Sequence, residues 1–256
     1  ELEQTNNKMK ISIVIPARWG STRFKGKPLA KINGKEVIKY VWEKANLSKI
    51  ADKVIVATDN NKIKNFCIKQ NINVLMTSNK NKTGTDRIYE VSKKINSDIY
   101  VNLQGDEPLI DPKNIDKVAF CSKKNISKKI EVATGYSKVK KYAKRIKGDS
   151  SNVYLYKKRN SNEACFFFRG TKQAKLLKEE GYKPFKHIGL YAYTKSALKR
   201  FHSYERSLLE VSQELEQLRF IENNEKIVCT EITDSIYAVD YPNDIKKIEK
   251  FLKLKI

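Results

Sequence analysis

Residues 11–29 read ISIVIPARWGSTRFKGKPL. The first six residues form an apolar, β-branched run, which is typical of a strand covered on both faces of a sheet. The polar segment that follows, residues 17–28, holds two glycines, two hydroxyl residues and four cations. A buried strand that ends in such a loop indicates an α/β sheet with a ligand site at the carboxyl edge of its strands.

The same alternation continues through the first half of the chain. Short β-type runs at 54–58, 74–77 and 99–103 are separated by amphipathic helical segments at 36–45, 62–70 and 86–95. Thr85 is a candidate N-cap for the last of these helices. Strands that alternate with helices pair in parallel, with the helices on both faces. The sequence therefore predicts an α/β fold built on a mainly parallel, Rossmann-like sheet.

The second half has a different character. Strand-like runs at 132–136, 153–157, 164–169 and 187–193 follow one another without long helices between them. This pattern predicts a mixed or antiparallel lobe at about 130–205, inserted into one domain that spans residues 11–256. A strong helix is predicted at 208–220, a late strand at 226–231 and a closing helix at 242–254, with Pro242 at its N1 position.

The formal net charge is +23, from 52 lysines and arginines against 29 aspartates and glutamates. Such an excess is compatible with nucleic-acid binding, because cations neutralise phosphates and release counterions. The lysines are, however, scattered through every segment, without a basic tail or a patch interleaved with aromatic residues. We therefore expect no specific nucleic-acid partner, and a positive field that attracts anionic substrates.

Composition also bears on location. The hydrophobic fraction of 40% suffices for a packed core, and no stretch approaches the roughly 18 uninterrupted apolar residues of a membrane helix. The four cysteines are widely separated and suggest neither a zinc site nor a disulfide framework. We expect a cytoplasmic protein without a membrane partner, in which residues 1–10 form a disordered extension unlike a secretory signal.

The loop at 17–28 is a candidate phosphate site. Glycines let backbone N–H groups approach an anion, and arginine and lysine neutralise it, so a triphosphate suits this composition. The loop is not a Walker A motif, because residues 21–25 separate its glycines and Pro28 stands where the hydroxyl residue should be. No G-x-G-x-x-G follows the strand either. The alternative is a solvated basic loop in a lysine-rich chain.

Three aspartates are candidate magnesium ligands. Asp59 and Asp106 each follow a predicted strand, and Asp240 follows a short apolar run late in the chain. Carboxylates from separate strand ends above a phosphate loop could share one Mg²⁺ ion. The alternatives are helix capping for Asp59, which we favour, an exposed turn for Asp106, and charge complementation at the start of the closing helix for Asp240.

No covalent nucleophile is apparent. The chain has only two histidines, and neither belongs to a recognisable triad or metal-ligand spacing. We expect His202 at the surface, whereas His187 precedes an apolar run and is equally compatible with a structural role.

Seven segments, in order over nearly the whole chain, carry recognisable motifs. They are I-P-A-R-x-x-S-T-R-x-x-G-K-P-L at 15–29, V-A-T-D at 56–59, G-T-D/E-R at 84–87, Q-G-D-E-P at 104–108, H-[LI]-G-[IL]-Y at 187–191, L-E-Q-L-R at 215–219 and V-D-x-P-x-D at 239–244. Together they resemble the 3-deoxy-manno-octulosonate cytidylyltransferases, or CMP-Kdo synthetases. The resemblance implies a nucleotidyltransferase sheet and a homodimer that pairs through the inserted lobe.

The resemblance also implies a reaction, in which CTP and a sugar acid (Kdo or a close analogue such as 8-amino-Kdo) give the CMP-sugar and pyrophosphate for lipopolysaccharide precursor synthesis. It implies Mg²⁺ bound by Asp106 and Asp240, and catalytic roles for Arg18, Lys27 and Asp106. The implied nucleotide contacts are Ala17, Arg18, Ser21, Thr22, Lys27, Arg87 and Gln104. The implied acceptor contacts are Arg23, Arg169, His187, Tyr191, Glu214 and Gln217.

The departures from the family pattern lie in the acceptor half. Phe168 stands where the family has serine in Y-F-S-R, Tyr154 stands where it has lysine in V-K-V, and Gln213 lies in a segment that replaces H-I-E. Phenylalanine in place of serine would change the volume and polarity of a pocket. A different anionic acceptor, such as a phosphonate, is therefore an alternative, and a non-catalytic nucleotide- or nucleic-acid-binding protein is the alternative of another class.

Overall fold

The computed structural model describes residues 8–139, 152–234 and 238–254, so residues 1–7 of the predicted extension lie outside the described residues. The strands are β1 (Ile11–Ala17), β2 (Lys31–Ile32), β3 (Lys35–Glu36), β4 (Lys53–Thr58), β5 (Val74–Met76), β6 (Ile99–Asn102), β7 (Val132–Ser137), β8 (Val153–Lys157), β9 (Ala164–Arg169), β10 (Phe185–Thr194) and β11 (Ile227–Glu231). The helices are α1 (Val37–Asn46), α2 (Asn61–Lys69), α3 (Gly84–Lys94), α4 (Pro112–Asn125), α5 (Thr171–Glu179), α6 (Lys195–Ser203), α7 (Leu208–Gln213), α8 (Leu218–Glu222) and α9 (Pro242–Lys253).

A mixed sheet of nine strands runs through the described residues, and β2 and β3 form a separate hairpin. The order along the sheet is β11–β7–β10–β6–β1–β4–β5, with β8 and β9 attached through β10. β1 pairs in parallel with β4 and β6, and β4 pairs in parallel with β5. The predicted mainly parallel α/β sheet is confirmed.

The strand order changes direction at β1. From β1 the chain moves to β4 and β5 on one side and then returns to β6 on the other. The carboxyl ends of β1 and β6 therefore border a crevice, which is where open α/β sheets bind ligands. β10 runs antiparallel to β6, so the first residues of β10, including His187, lie at this same edge.

Two apolar clusters cover the faces of the sheet. Because side chains alternate along a strand, Ile13 and Ile15 of β1 belong to one cluster and Val14 belongs to the other. Ile115 of α4 packs in the first cluster, and Phe201 of α6 packs in the second. None of the described helices has the length and apolar run needed to span a bilayer.

The stretch predicted as an inserted lobe contributes to the main sheet. β7 and β10 are inner strands of that sheet, whereas β8 and β9 form an antiparallel hairpin that pairs with β10. The antiparallel character of the stretch is confirmed. Its limits at about 130–205 and its part in pairing subunits stay predictions.

The helix predicted at 208–220 is divided into two. α7 ends at Gln213, and Glu214 adopts the left-handed conformation, with φ 50° and ψ 44°. Arg169 of β9 donates from Nε to the Gln213 carbonyl (2.5 Å) and from a terminal nitrogen to the Glu214 carbonyl (2.8 Å). Since these bonds satisfy carbonyls that a continuing helix would use, the prediction of one helix is wrong. Residues 214–217 form a turn instead.

The helix cap predicted at Asp59 is also wrong. Asn60 caps α2, because its side-chain oxygen accepts from the Lys62 N–H at 2.9 Å. Asp59 accepts a hydrogen bond from Arg87 at 2.8 Å. Asparagine and aspartate are both favourable N-cap residues. Because Asn60 caps the helix, the Asp59 carboxylate is available to bind Arg87.

The cap of α3 lies two residues before the predicted one. Thr83, not Thr85, accepts from the Asp86 N–H, and the Thr83 N–H donates to the Asp86 carboxylate, which completes a capping box. Pro242 occupies the first turn of α9, as predicted.

Candidate active site

An open cleft with a volume of about 1350 Å³ lies along the carboxyl edge of the parallel strands. It is lined by all fifteen residues predicted to contact nucleotide, acceptor or metal. They come from the loop after β1, the start of α3, the loop after β6, the end of β9, β10, the turn at 214–217 and the segment before α9. The fold thus brings together residues that are far apart in sequence.

The loop after β1 folds back on itself. The Gly26 N–H donates to the Trp19 carbonyl at 3.0 Å. Gly26 has φ 72°, and a Cβ there would lie 3.0 Å from the Trp19 ring, so this turn requires glycine. A short 3-10 turn at Lys27–Leu29 follows. The Lys27 side chain is consequently only 12% exposed, whereas Arg18 is exposed in the cleft.

Asp106 and Asp240 meet at one ammonium group. Lys27 Nζ lies 2.5 Å from Asp106 Oδ2 and 4.0 Å from Asp240 Oδ1, and Arg23 lies 2.9 Å from the same Asp240 oxygen. The Val239 N–H donates to the Asp106 carbonyl at 2.8 Å, so the two acidic segments are also joined through their backbones. Asp240 lies just before α9, and Ala238 and Val239, the described residues that precede it, are not in a strand.

Gly105 allows the loop after β6 to approach β1. A Cβ on Gly105 would lie 2.7 Å from the Pro16 carbonyl oxygen, which is closer than real Cβ contacts come. Only glycine therefore permits Asp106 to reach the loop that carries Lys27.

At the other side of the cleft, Arg87 is buried near the start of α3. It donates to Thr77 Oγ1 at 2.5 Å and to Asp59 at 2.8 Å. Gln104 Nε2 donates to Asn102 Oδ1 at 3.3 Å. Of the two residues predicted near the base, Arg87 is therefore held by two hydrogen bonds, and Gln104 makes one longer bond. Asp59 accepts a hydrogen bond from Arg87 and is not among the residues that line the cleft.

His187 and Tyr191 of β10 form part of the buried wall. Nε2 of His187 lies 3.0 Å from Thr134 Oγ1. Burial lowers the pKa of His187 to about 3, and nearby Arg169 contributes to this shift. The imidazole is therefore neutral at pH 7 and supplies a hydrogen bond rather than a charge. The other histidine, His202, is exposed as predicted.

Glu216 is a site residue that sequence reasoning did not single out. It lines the cleft and accepts from the Thr85 N–H at 3.2 Å, and burial raises the pKa of its carboxyl group. Gln217 beside it is buried, and its Nε2 has no hydrogen-bond partner within the described ranges. A carboxyl group and an unpaired amide at this depth suit a polyhydroxylated ligand. The L-E-Q-L-R motif contains both residues, so the sequence did hold a signal from which Glu216 could have been predicted as a site residue.

Tyr154 and Phe168 lie outside the cleft lining. They pair across β8 and β9, their rings stack with centroids 5.7 Å apart, and they pack with Ala174 of α5. Gln213 is also absent from the lining, and its backbone carbonyl is bound by Arg169. The expectation that Phe168 reshapes the acceptor pocket is wrong, because Phe168 packs on the other face of the hairpin from Arg169.

The large positive charge is not concentrated in the cleft. The described residues that line it include nine cations and eight carboxylates, so their charges nearly cancel, whereas the net charge of the whole chain is +23. Attraction of an anionic substrate therefore depends on individual contacts, such as those with the loop after β1, more than on a field focused in the cleft.

Comparison with known proteins gives one consistent result. The profile of the family described as Cytidylyltransferase matches residues 12–227. A 3-deoxy-manno-octulosonate cytidylyltransferase of Parabacteroides distasonis is 36% identical over 253 residues, which cover 95% of this chain and 98% of the relative. An 8-amino-3,8-dideoxy-manno-octulosonate cytidylyltransferase of Shewanella sp. (strain ANA-3) is 39% identical over 253 residues, with 95% and 99% covered. The solved structure of a CMP:2-keto-3-deoxy-manno-octonic acid synthetase complexed with CTP has a TM-score of 0.87 at 32% identity, and the match covers 96% of this chain and 100% of that one.

Proposed function

The chain belongs to the 3-deoxy-manno-octulosonate cytidylyltransferase family, and we propose that it transfers CMP from CTP to Kdo or 8-amino-Kdo with release of pyrophosphate. One observation carries the proposal. The basic loop after β1, a pair of carboxylates and a polar acceptor end line one continuous cleft. Such an arrangement brings a triphosphate and a sugar acid into contact at the α-phosphate.

In the proposed reaction an acceptor hydroxyl attacks the α-phosphorus in line. The bond from this oxygen to phosphorus forms as the bond to the pyrophosphate oxygen breaks, and the hydroxyl proton passes to solvent water. Arg18, Ser21 and Lys27 hold the triphosphate, while Arg87 and Gln104 orient the base. No covalent enzyme intermediate is required, since positioning and charge neutralisation supply the catalysis.

The acceptor end has the chemistry of a sugar-acid site. Arg169 offers a cation for the acceptor carboxylate, and neutral His187 offers a hydrogen bond. Glu216 and Gln217 offer an acceptor and a donor for hydroxyl groups. Together these four residues would hold the sugar with one hydroxyl directed at CTP.

Asp106 and Asp240 fit a magnesium site. Both are partly exposed, at 27% and 30%, and both lie beside the loop proposed to hold phosphate. No group of three or more His, Cys, Asp or Glu side chains suited to a metal occurs in the part of the chain that the structure describes. A carboxylate pair completed by substrate phosphates suits Mg²⁺, which would neutralise charge on CTP and aid the departure of pyrophosphate.

Both sugar acids stay in the proposal, because relatives with each name are similar to this chain at 36% and 39% identity. We do not propose a phosphonate acceptor. That alternative was based on the departures from the family pattern at Tyr154 and Phe168, and both residues lie outside the cleft lining. The non-catalytic alternative would not explain why the carboxylates of Asp106 and Asp240 lie close together in the cleft.

We further propose a cytoplasmic homodimer that supplies an activated sugar for lipopolysaccharide synthesis. The sugar acids in the names of the relatives support this pathway. Support for self-association comes from the lobe predicted to pair the subunits, where Leu176 and Tyr182 are 46% and 55% exposed. Light scattering should give twice the chain mass of 29.6 kDa, and a monomer at micromolar concentration would contradict the dimer.

Pyrophosphate release tests the proposal. CTP and Mg²⁺ should give pyrophosphate with Kdo or 8-amino-Kdo, and not with sialic acid or simple phosphonates. Asp106→Asn should lower turnover by about 100-fold or more while circular dichroism stays unchanged, because a metal ion contributes several kcal/mol to such transition states. The control Glu231→Gln removes a carboxylate that is 47% exposed, outside the cleft. Near-wild-type turnover by Asp106→Asn would refute the metal role.

A further inference from the structure

Lys27 lies where a cation bridging the two carboxylates would lie. Its ammonium is 2.5 Å from Asp106 and 4.0 Å from Asp240. We propose that Lys27 is the internal counter-ion of the metal site, and that it keeps divalent metal out until a triphosphate draws the ammonium away. This inference rests on the proposed metal role of Asp106 and Asp240.

The position of Lys27 is built into the fold. The left-handed Gly26 and the 3-10 turn at Lys27–Leu29 fix its backbone, and the side chain is 12% exposed. Arg23 also contacts Asp240, but its side chain is 50% exposed. Lys27 is thus the more enclosed of the two cations at this pair. Without such a cation, two neighbouring carboxylates would repel each other.

Lys27 and a divalent ion compete for the same oxygen atoms. Mg²⁺ binds carboxylate oxygens at about 2.0–2.1 Å, and it accepts little distortion of its ligand geometry. An ammonium 2.5 Å from Asp106 Oδ2 occupies one of the two oxygen atoms that this carboxylate could offer to a metal. If both cations stayed, like charges would lie within a few ångströms of each other at a partly buried site. We therefore expect metal binding to displace the Lys27 ammonium from Asp106.

The phosphates of CTP provide the place for the displaced ammonium. Lys27 shares its loop with Arg18 and Ser21, and all three line the cleft. A lysine has a flexible four-carbon stem, so its ammonium can move from a carboxylate to a phosphate without moving the backbone. Nucleotide and metal binding are then coupled, and each raises the affinity for the other by the same factor. The free protein should bind divalent metal weakly.

Mn²⁺ titration of the nucleotide-free protein, followed by electron paramagnetic resonance, tests this inference without turnover. Lys27→Met keeps the length of the side chain and removes its charge. It should bind Mn²⁺ at least about tenfold more tightly than wild type, because a competing unit charge has been removed from contact with the ligands. Lys27→Gln serves as a second variant in case the first one misfolds.

The matched control is Lys247→Met. Lys247 also lines the cleft, but it pairs with Asp244 at 2.6 Å rather than with the two carboxylates. The inference is overturned if Lys27→Met and wild type bind Mn²⁺ equally, or if Lys247→Met gains as much affinity. Failure of the proposed metal role gives a different result. If Asp106 is not a metal ligand, the double variant Lys27→Met/Asp106→Asn binds Mn²⁺ as tightly as Lys27→Met does.

Discussion

Burial shifts the pKa values of two side chains in the cleft, those of His187 and Glu216. His187 is enclosed by Thr134, Tyr191 and Phe167, and its pKa is lowered to about 3. Glu216 shows the opposite shift, because burial of a carboxyl group favours the protonated form and raises its pKa. Neither group behaves as an exposed residue would, and sequence alone does not reveal this.

Replacing His187 with glutamine should reduce the loss of stability on acidification. The folded-state pKa is about 3 and that of an unfolded chain is about 6.5, so between these values the unfolded state binds the extra proton. Stability therefore falls as the pH drops below about 6.5. From pH 7 to pH 5 this loss is about 2 kcal/mol.

Urea unfolding at pH 7 and pH 5 measures the difference. His187→Gln should lose about 2 kcal/mol less than wild type between the two pH values. His202→Gln, which leaves the buried imidazole in place, should keep the greater part of the wild-type loss. Equal losses for His187→Gln and wild type would mean that His187 is not buried as a neutral group.

Phe168→Ser should lower stability and leave acceptor choice unchanged. Phe168 is 6% exposed and stacks on Tyr154, so its truncation leaves a cavity that costs about 3–5 kcal/mol. Because the side chain does not line the cleft, the ratio of kcat/KM for Kdo and 8-amino-Kdo should stay the same. Urea unfolding and steady-state kinetics measure the two effects. A change of more than tenfold in that ratio, at a temperature where the variant is folded, would return Phe168 to the acceptor site.

Among the elements, the pair α7 and α8 shapes the part of the cleft proposed to hold the acceptor. Arg219 of α8 donates to both carboxylate oxygens of Glu210 on α7, at 2.6 and 2.7 Å, and both side chains are buried. Arg169 of β9 donates to the last carbonyl of α7, that of Gln213, and to the Glu214 carbonyl that follows it. These contacts fix the turn that presents Glu216 and Gln217 to the cleft.

Glu214→Gly should stabilise the protein. Glu214 has φ 50°, a conformation that costs a residue with a Cβ about 1–2 kcal/mol. Glycine avoids this cost but loses more chain entropy on folding, so we expect a net gain of up to about 1 kcal/mol in unfolding free energy. Glu43→Gly, within α1, should instead lose about 1 kcal/mol.

Urea unfolding compares the two glycine variants, and acceptor KM is measured on the same proteins. A loss of stability in Glu214→Gly similar to that of Glu43→Gly would mean that Glu214 is helical after all. A raised acceptor KM with a stability gain would support the predicted contact between the Glu214 side chain and the acceptor.

Local patterns identified some elements and missed others for physical reasons. β1, β4 and β6 were predictable, because buried parallel strands are short runs of apolar residues. The break at Glu214 was not, since the groups that end α7 come from β9, far away in sequence. α4 was overlooked although Asp111 caps it and Pro112 opens it, so in that case a local signal was present.

At the scale of the whole molecule, the residues that meet in the cleft were identified by their motifs, but their arrangement was not. The insertion of β10 between β6 and β7 depends on long-range pairing, which periodicity does not encode. The same holds for Lys27, which approaches Asp106 and Asp240 across 79 and 213 positions of sequence. Because these residues are far apart in the sequence, their motifs suggested roles but did not predict how the residues are arranged.

The surplus of positive charge should give only weak, salt-sensitive binding to nucleic acid. The cleft lining is nearly balanced, so the surplus lies over the remaining surface. We expect the protein to bind a DNA column at about 50 mM salt and to elute near about 200 mM, because dispersed lysines bind by counterion release. CTP should not displace it. Retention well above physiological salt, or elution by CTP, would indicate a specific nucleic-acid site in the cleft.

The central claim is the transfer of CMP, and ³¹P NMR of one reaction tests it most directly. With CTP, Mg²⁺ and Kdo or 8-amino-Kdo, we expect pyrophosphate and one phosphodiester resonance to appear in equal amounts while the CTP signals decline. That outcome means attack at the α-phosphorus with the cytidine kept on the sugar. The appearance of CDP with a phosphorylated sugar, or unchanged CTP with both acceptors, would contradict the account.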